Sequence, residues 1–253
     1  MLILLKKCYK YKYLKQPGPL WFHPEIPIKL VLFSIYRYIE NTIYTPKITL
    51  HVAIFFCQYA NGEYRRGVTE CMESALGNQV ADCDLIILHA SLGHSFQELI
   101  AQAQELAPRA KVVAASCCGI VGKEGVSETM KDIALMAVRG KETAVSWVDG
   151  IYGSNSFEKA KEMAMQLKQQ LPSTNMIYFM ASGIDIANDE CIAGIEAVFG
   201  EQVTIFGATS SDNMKGVISY QAAGGKVFEH GAFLVGFGDP SLEVMTQATQ
   251  DRK

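Results

Sequence analysis

Apolar and polar positions along residues 50–239 follow two alternating rhythms. Short apolar runs of strand length recur at His51–Cys57 (HVAIFFC), Asp84–Ala90 (DLIILHA), Lys111–Ala115 and Ile133–Val138. Between them lie longer stretches, Tyr64–Leu76 and Ser95–Ala107, whose apolar residues fall three and four apart. That spacing is the pattern of a helix with one buried face. Ser95 with Glu98 three positions on makes a capping box, and Pro108 ends the second helix.

The series then repeats. At an offset of 91, Ala53–Cys57 falls on Ala144–Val148, Met72 on Met163 and Leu76 on Leu167. The run DLIILHAS (84–91) falls on NMIYFMAS (175–182). After one inserted residue, Leu99–Ala107 falls on Cys191–Phe199. Val112–Ala115 answers to Val203–Phe206, and Ile133–Gly140 to Ala232–Asp239. Two copies of one unit are therefore expected, about 50–141 and about 142–239. Strands alternating with helices predict an α/β fold. The expectation is an internally duplicated β-α-β-α-β-β unit with a mixed, largely parallel sheet or sheets flanked by helices. In the second copy, Val217–Gln221 and Lys226–Phe228 flank Ala222–Gly225 and predict a hairpin. One continuous sheet and two packed sheets fit the pattern equally.

Composition divides the chain in two. The whole has 253 residues, 49% apolar and 19% charged, with a net charge of −3. This is globular composition, and so mild a charge offers no basis for nucleic-acid binding. Residues 1–49, however, hold eight Lys/Arg against two Asp/Glu, nine aromatics and five of the eight prolines. They read as a basic-aromatic extension to a domain over 50–248, with 249–253 as a tail. The extension is either poorly ordered or the product of a misassigned start. Lys6 and Lys7 follow Leu5 at once, which does not suit a signal peptide. Lys29 and Arg37 bracket the apolar run between them, too short a span to cross a membrane. A cytoplasmic setting is expected.

In open α/β sheets, ligands bind beyond the carboxyl ends of strands. Four strand ends here carry small and polar residues. They offer Ser91 and His94; Ser116, Cys117, Cys118 and Gly119; Ser182 and Asp185; and Gly207, Thr209, Ser210 and Asp212. Glycines let a backbone approach a ligand, and hydroxyls and carboxylates give directional hydrogen bonds. The same residues also make ordinary turns. Their paired placement in the two copies favours one shared small-ligand site.

Four segments carry a family resemblance: DLIILHAS (84–91), VVAASCCGIVGKEGV (112–126), IFGATSSDN (205–213) and SYQAAGGKVFEHGAFLVGFGD (219–239). In these the chain resembles the N-terminal region of the FIST domain family. Ser116 and Gly119 keep the pattern V-V-G-C-S-T-A-G, while Ala114 and Ala115 replace its Gly-Cys. Gly207 and Asp212 keep G-G-x-x-x-D, with Ala208 for the second Gly. The resemblance implies a non-enzymatic sensory domain of prokaryotic signalling that binds an amino acid or similar metabolite. It also implies a separately encoded output partner, such as a histidine kinase or cyclase. The family usually continues into a C-terminal region, which is not expected within these residues. Half of a shared site, or a surface for a separate C-terminal partner, is a further reading.

Two other chemistries compete with this reading. Seven cysteines without C-x-x-C spacing, and without an export signal, suggest reduced thiols. Cys57, Cys71 and Cys191 fall on core elements. Cys117 or Cys118, approached by His89 or His94, is the one arrangement suited to a hydrolase or transferase. No cofactor is predicted from the residues. A haem-binding gas sensor is the alternative that the resemblance adds, with His94 or His230 as axial ligand. No histidine pair has metal-binding spacing, and His89, inside a strand, reads as a core residue. The series Gly119, Gly122, Gly125 matches no phosphate-binding pattern and reads as a turn.

Overall fold

A computed structural model describes residues 55–59, 64–122, 125–212 and 215–239. The first 49 residues, the tail and the start of the first predicted strand, residues 51–54, lie outside the described residues. The first half runs β1 (Phe55–Tyr59), α1 (Tyr64–Leu76), β2 (Leu85–Ala90), α2 (Phe96–Leu106) and β3 (Lys111–Ser116). Two short strands follow, β4 (Ile120–Gly122) and β5 (Gly125–Ser127), and then β6 (Ile133–Val138). The second half runs β7 (Thr143–Asp149), α3 (Ser156–Gln170), β8 (Met176–Ala181), α4 (Asn188–Phe199) and β9 (Thr204–Thr209). It ends with β10 (Gln221–Ala223), β11 (Lys226–Phe228) and β12 (Gly231–Phe237).

The helices form where the apolar spacing places them. Val68, Cys71, Met72 and Ala75 make the buried stripe of α1, and Phe96, Leu99, Ile100 and Ala103 that of α2. Ser95 caps α2, its side chain accepting from the Glu98 amide at 3.4 Å. In the second half, Ala160, Met163, Ala164 and Leu167 of α3 lie against the same kind of face.

The two halves build two sheets with one plan. The first is ordered β1-β6-β2-β3 and then β10-β11; the second is β7-β12-β8-β9. Position for position, β1, β6, β2 and β3 match β7, β12, β8 and β9. The β2–β3 and β8–β9 pairs are parallel. The β1–β6, β2–β6, β7–β12 and β8–β12 pairs are antiparallel. The sheets are thus mixed, with more antiparallel pairing than expected, because β6 and β12 return between strands already laid down. The first predicted hairpin strand is shifted and shorter: it runs Gln221–Ala223, not Val217–Gln221, while the second is Lys226–Phe228 as expected. The amides of Val217 and Ile218 are taken by the Asp212 carboxylate instead of a ladder. The glycine-bounded segment 120–127, expected as a turn, forms the β4–β5 pair.

The sheets stack face to face with helices outside. Along β2, Ile86, Leu88 and Ala90 join the core beneath α1 and α2, while Leu85 and Ile87 enter the seam between sheets. Along β8, Ile177, Phe179 and Ala181 face α3 and α4, while Met176, Tyr178 and Met180 enter the seam. Burial on both faces explains why both strands are continuous apolar runs with no polar alternation. Phe233 is fully buried in the seam, which stabilises the fold by about 2–3 kcal/mol.

One polar pair crosses the seam. The His89 Nε2 and the Tyr178 hydroxyl lie 2.9 Å apart, with their rings edge to face. Burial pushes the His89 imidazole down from 6.5 to about 4, and pushes the Tyr178 hydroxyl up. The native state resists the proton that the unfolded chain takes up below about 6.5. Falling pH between 6.5 and 4 therefore removes stability, on the order of 3 kcal/mol; above 6.5 the contribution is complete. His89→Gln keeps a donor for Tyr178 and has no proton to gain. It is expected to flatten this part of the profile, read as urea midpoints near pH 7 and pH 4.5. An equal acid loss in both proteins would set His89 aside as its cause.

Candidate functional site

The carboxyl ends of β3 and β9 meet at one end of the seam. The Ser211 amide, two residues past β9, donates to the Ser116 carbonyl at 3.0 Å. The Ser116 Oγ accepts from the Tyr220 amide at 2.9 Å. Equivalent bonds tie each third strand to the second: Cys117 N to Ala90 O at 3.0 Å, and Ser210 N to Ala181 O at 2.8 Å. Strand ends from both halves are thus held together by the segment that leaves β9 and returns as β10.

The predicted hydroxyls converge there, but face inward. Ser91, Ser116, Ser182 and Ser210 are all buried. Ser91 Oγ donates to the Thr129 carbonyl at 2.6 Å. Ser182 Oγ lies 3.2 Å from Ser219 Oγ, and Gln221 Nε2 donates to Ser219 Oγ and Ser210 Oγ. Gln221 Oε1 in turn accepts from the Gly231 amide at 2.9 Å. This buried chain links the end of β8, the end of β9, β10 and the start of β12. Of its four members, Ser182 and Ser210 were among the expected site residues, whereas Ser219 and Gln221 were not. The polar Gln in an otherwise apolar hairpin strand was the available signal.

Asp212 is likewise engaged. Burial opposes its charge, but the amides of Val217, Ile218, Gly216 and Lys215 outweigh that and hold the carboxyl below its ordinary value. The bonds from Gly216 and Val217 are 2.7 and 2.6 Å. Asp212 therefore closes its own loop. Asp132, buried just before β6, does the same for its own loop, accepting from the Ser127 hydroxyl, the Thr129 amide and the Thr129 hydroxyl. Gly207 serves packing: its φ is +150°, and a Cβ there would lie 1.7 Å from the Phe179 carbonyl oxygen.

Other predicted residues keep free chemistry. His94 lies in the loop after β2, its amide bonded to the Ser91 carbonyl at 3.3 Å. Its Nε2 is shielded from solvent and has no hydrogen-bond partner. Asp185 adopts φ +49°, the only positive φ of a non-glycine residue among the described residues. Cys118 and Gly119 are partly exposed, as is Thr209 on β9. Cys117 is 7% exposed, and burial pushes its thiol up to about 12. His230 packs at a tilt against Tyr152, with ring centroids 4.7 Å apart, and its Nδ1 is shielded and unpartnered.

Among the described residues, no group of three or more His, Cys, Asp or Glu is placed to hold a metal ion. A cavity of about 10 Å³ lies between Phe179, Asn188, Ile192 and residues 205–208. It has room for about one water. It does not fit a haem, and neither His94 nor His230 lines it.

Two helix-backed sheets, stacked face to face with their polar strand ends joined, define an α/β domain with its loops gathered at one end. A family model of the FIST N domain matches residues 84–253, and the chain belongs to the FIST domain family. FIST domains are sensory domains of signal transduction. No curated protein matches the chain. Among the described residues, no helix is long and apolar enough to cross a membrane.

Two outcomes test these placements. Gly207→Ala is expected to cost more than about 3 kcal/mol of folding stability, read from the denaturant midpoint, because strain and a backbone clash coincide. A near-neutral result would return Gly207 to the ligand-facing residues. Iodoacetamide near neutral pH is expected to label Cys118 and spare Cys117, localised by fragmentation of the shared peptide. Labelling of Cys117 first would show a lowered thiol and revive thiolate chemistry.

Proposed function

We propose that this chain is a non-enzymatic, cytoplasmic sensory domain that binds a small polar metabolite, such as an amino acid. The loops that close β2, β3, β8 and β9 form its recognition surface. A separately encoded signalling protein, such as a histidine kinase or cyclase, carries the output. The observation that carries the reading is His94 Nε2, shielded at the end of β2 with no partner. An unmet buried polar atom costs about 1–3 kcal/mol. A ligand carboxylate or carbonyl accepting from this nitrogen, or an ammonium donating to it, recovers that cost on binding. The family's sensory role supports the same reading. The buried thiol of Cys117, pushed up to about 12, supports binding over covalent catalysis.

Thermal unfolding in the presence of each of the common amino acids tests it. A ligand at 100 times its Kd stabilises the native state by about 2.7 kcal/mol, a shift of several degrees. At least one amino acid is expected to give that shift. His94→Ala is expected to abolish it without lowering the unliganded midpoint, because the variant also removes the unmet nitrogen. No shift across the set from well-folded protein counts against an amino-acid sensor. A shift that survives His94→Ala moves the site elsewhere.

A further inference from the structure

Strand β9 ends its sheet: among the described residues, nothing pairs with its outer side. Its counterpart β3 is not an edge, because β10 covers it antiparallel, with Gln221 opposite Ala115, Ala222 opposite Ala114 and Ala223 opposite Val113. The bare side of β9 is a full row of backbone groups. Thr204 N donates to Asn175 O and Ser210 N to Ala181 O, so the even-numbered amides face β8. By strand alternation, the amides of Ile205, Gly207 and Thr209 face outward. On β3 the matching amide, that of Ser116, is used: it donates to Tyr220 O at 2.8 Å. Among the described residues, nothing guards β9 as edges are usually guarded. Its six residues, TIFGAT, carry no charge and no proline, whereas β11, at the edge of the first sheet, presents exposed Lys226.

Among the described residues, β4 pairs on one side only and can serve as a donor strand. The β4–β5 pair has three residues a side, with Ile120 opposite Ser127, Val121 opposite Val126 and Gly122 opposite Gly125. The β10–β11 pair has the same size and register and also follows the third strand of its half, with residues 210–220 between them where the first half has only 117–119. Yet β10 extends the other half's sheet, while β4 pairs with β5 alone. Among the described residues, the outer sides of β9 and β4 are therefore both unpaired, and β9 is the counterpart of the strand that β10 covers. Within the chain they do not meet, because β4 lies beside β1 and β6.

The geometry points to β4 of a second copy of this chain as the occupant of the β9 edge. Exchange in both directions builds a two-fold dimer and uses both vacant edges at once, which closes the assembly. The register follows from β10 on β3: Ile120 opposite Ala208, Val121 opposite Gly207, and Gly122 opposite Phe206. Each larger residue then faces a small one across the junction. This surface is separate from the ligand-binding reading and does not rest on it.

Sedimentation equilibrium and directed cross-linking test the exchange. The wild-type chain is expected at twice its 27.9 kDa mass. Val121→Pro removes an outward amide without touching the β4–β5 ladder, because the Gly122–Gly125 pair holds that ladder. It is expected to yield monomer with an unchanged circular dichroism spectrum and thermal midpoint. Ile120→Cys chains mixed with Ala208→Cys chains are expected to form a disulfide-linked dimer that neither variant forms alone. These two positions form a narrow pair in the proposed ladder, within reach of a disulfide. A wild-type monomer at the highest soluble concentration overturns the proposal. So does a dimer that survives Val121→Pro. A chain carrying both cysteines that closes on itself as a monomer shows the edge filled from within, and also overturns it.

Discussion

Phe233, Tyr178, Ile87 and Val113 meet between the two sheets, and their burial governs what the other elements do. A sheet covered on its inner face by another sheet must cover its outer face with helices. The strands then tolerate apolar residues at every position, and β2 and β8 use that freedom. Polar groups are displaced to the strand ends, where loops carry them. His89 and Tyr178 are the instructive exception. They cross the seam as a mutually satisfied pair, and this lets two polar groups stay where neither is stable alone.

The seam also decides which parts of the fold could be read from the chain. Ile133–Val138 was legible to the residue, because six apolar-rich positions between polar flanks leave no alternative. Helix α2 was legible because Ser95 and Glu98 mark its start chemically. The matching of Asp84–Ser91 with Asn175–Ser182 anticipated that β2 and β8 hold the same place in their sheets. Strand direction was not legible. Whether β6 returns beside β2 depends on pairing between segments far apart in the chain, which no local pattern records. The β4–β5 pair was missed because three residues a side are too few to establish a period. The glycines at 119, 122 and 125 looked like a turn alone.

The strand-end residues show a different limit. Ser91, Ser182, Ser210 and Asp212 were selected for their hydrogen-bonding capacity, and every one of them uses it. Their partners are other parts of the same loops: Thr129, Ser219, Gln221 and the amides of 216–218. Residue type announces that a bond will be made but not with what. His94 could not be told apart from those residues by sequence. Only the structure shows that its Nε2 is enclosed and unmatched.

The segment between β9 and β10 gives the strand ends a mechanical consequence. It leaves the second sheet at Thr209, bonds to Ser116 at the end of β3, is braced by Asp212, and re-enters the first sheet as β10. The Gln221 side chain reaches back to Ser210 and to the Gly231 amide at the start of β12. A displacement of the loop after β9 therefore cannot stay local. It must either strain the β3–β10 ladder or carry the edge of the first sheet with it. A rigid seam with one loop spanning both sheets concentrates such movement at the strand ends and at the sheet edges. Among the described residues, His94 Nε2 and the outer side of β9 are unmatched at such places.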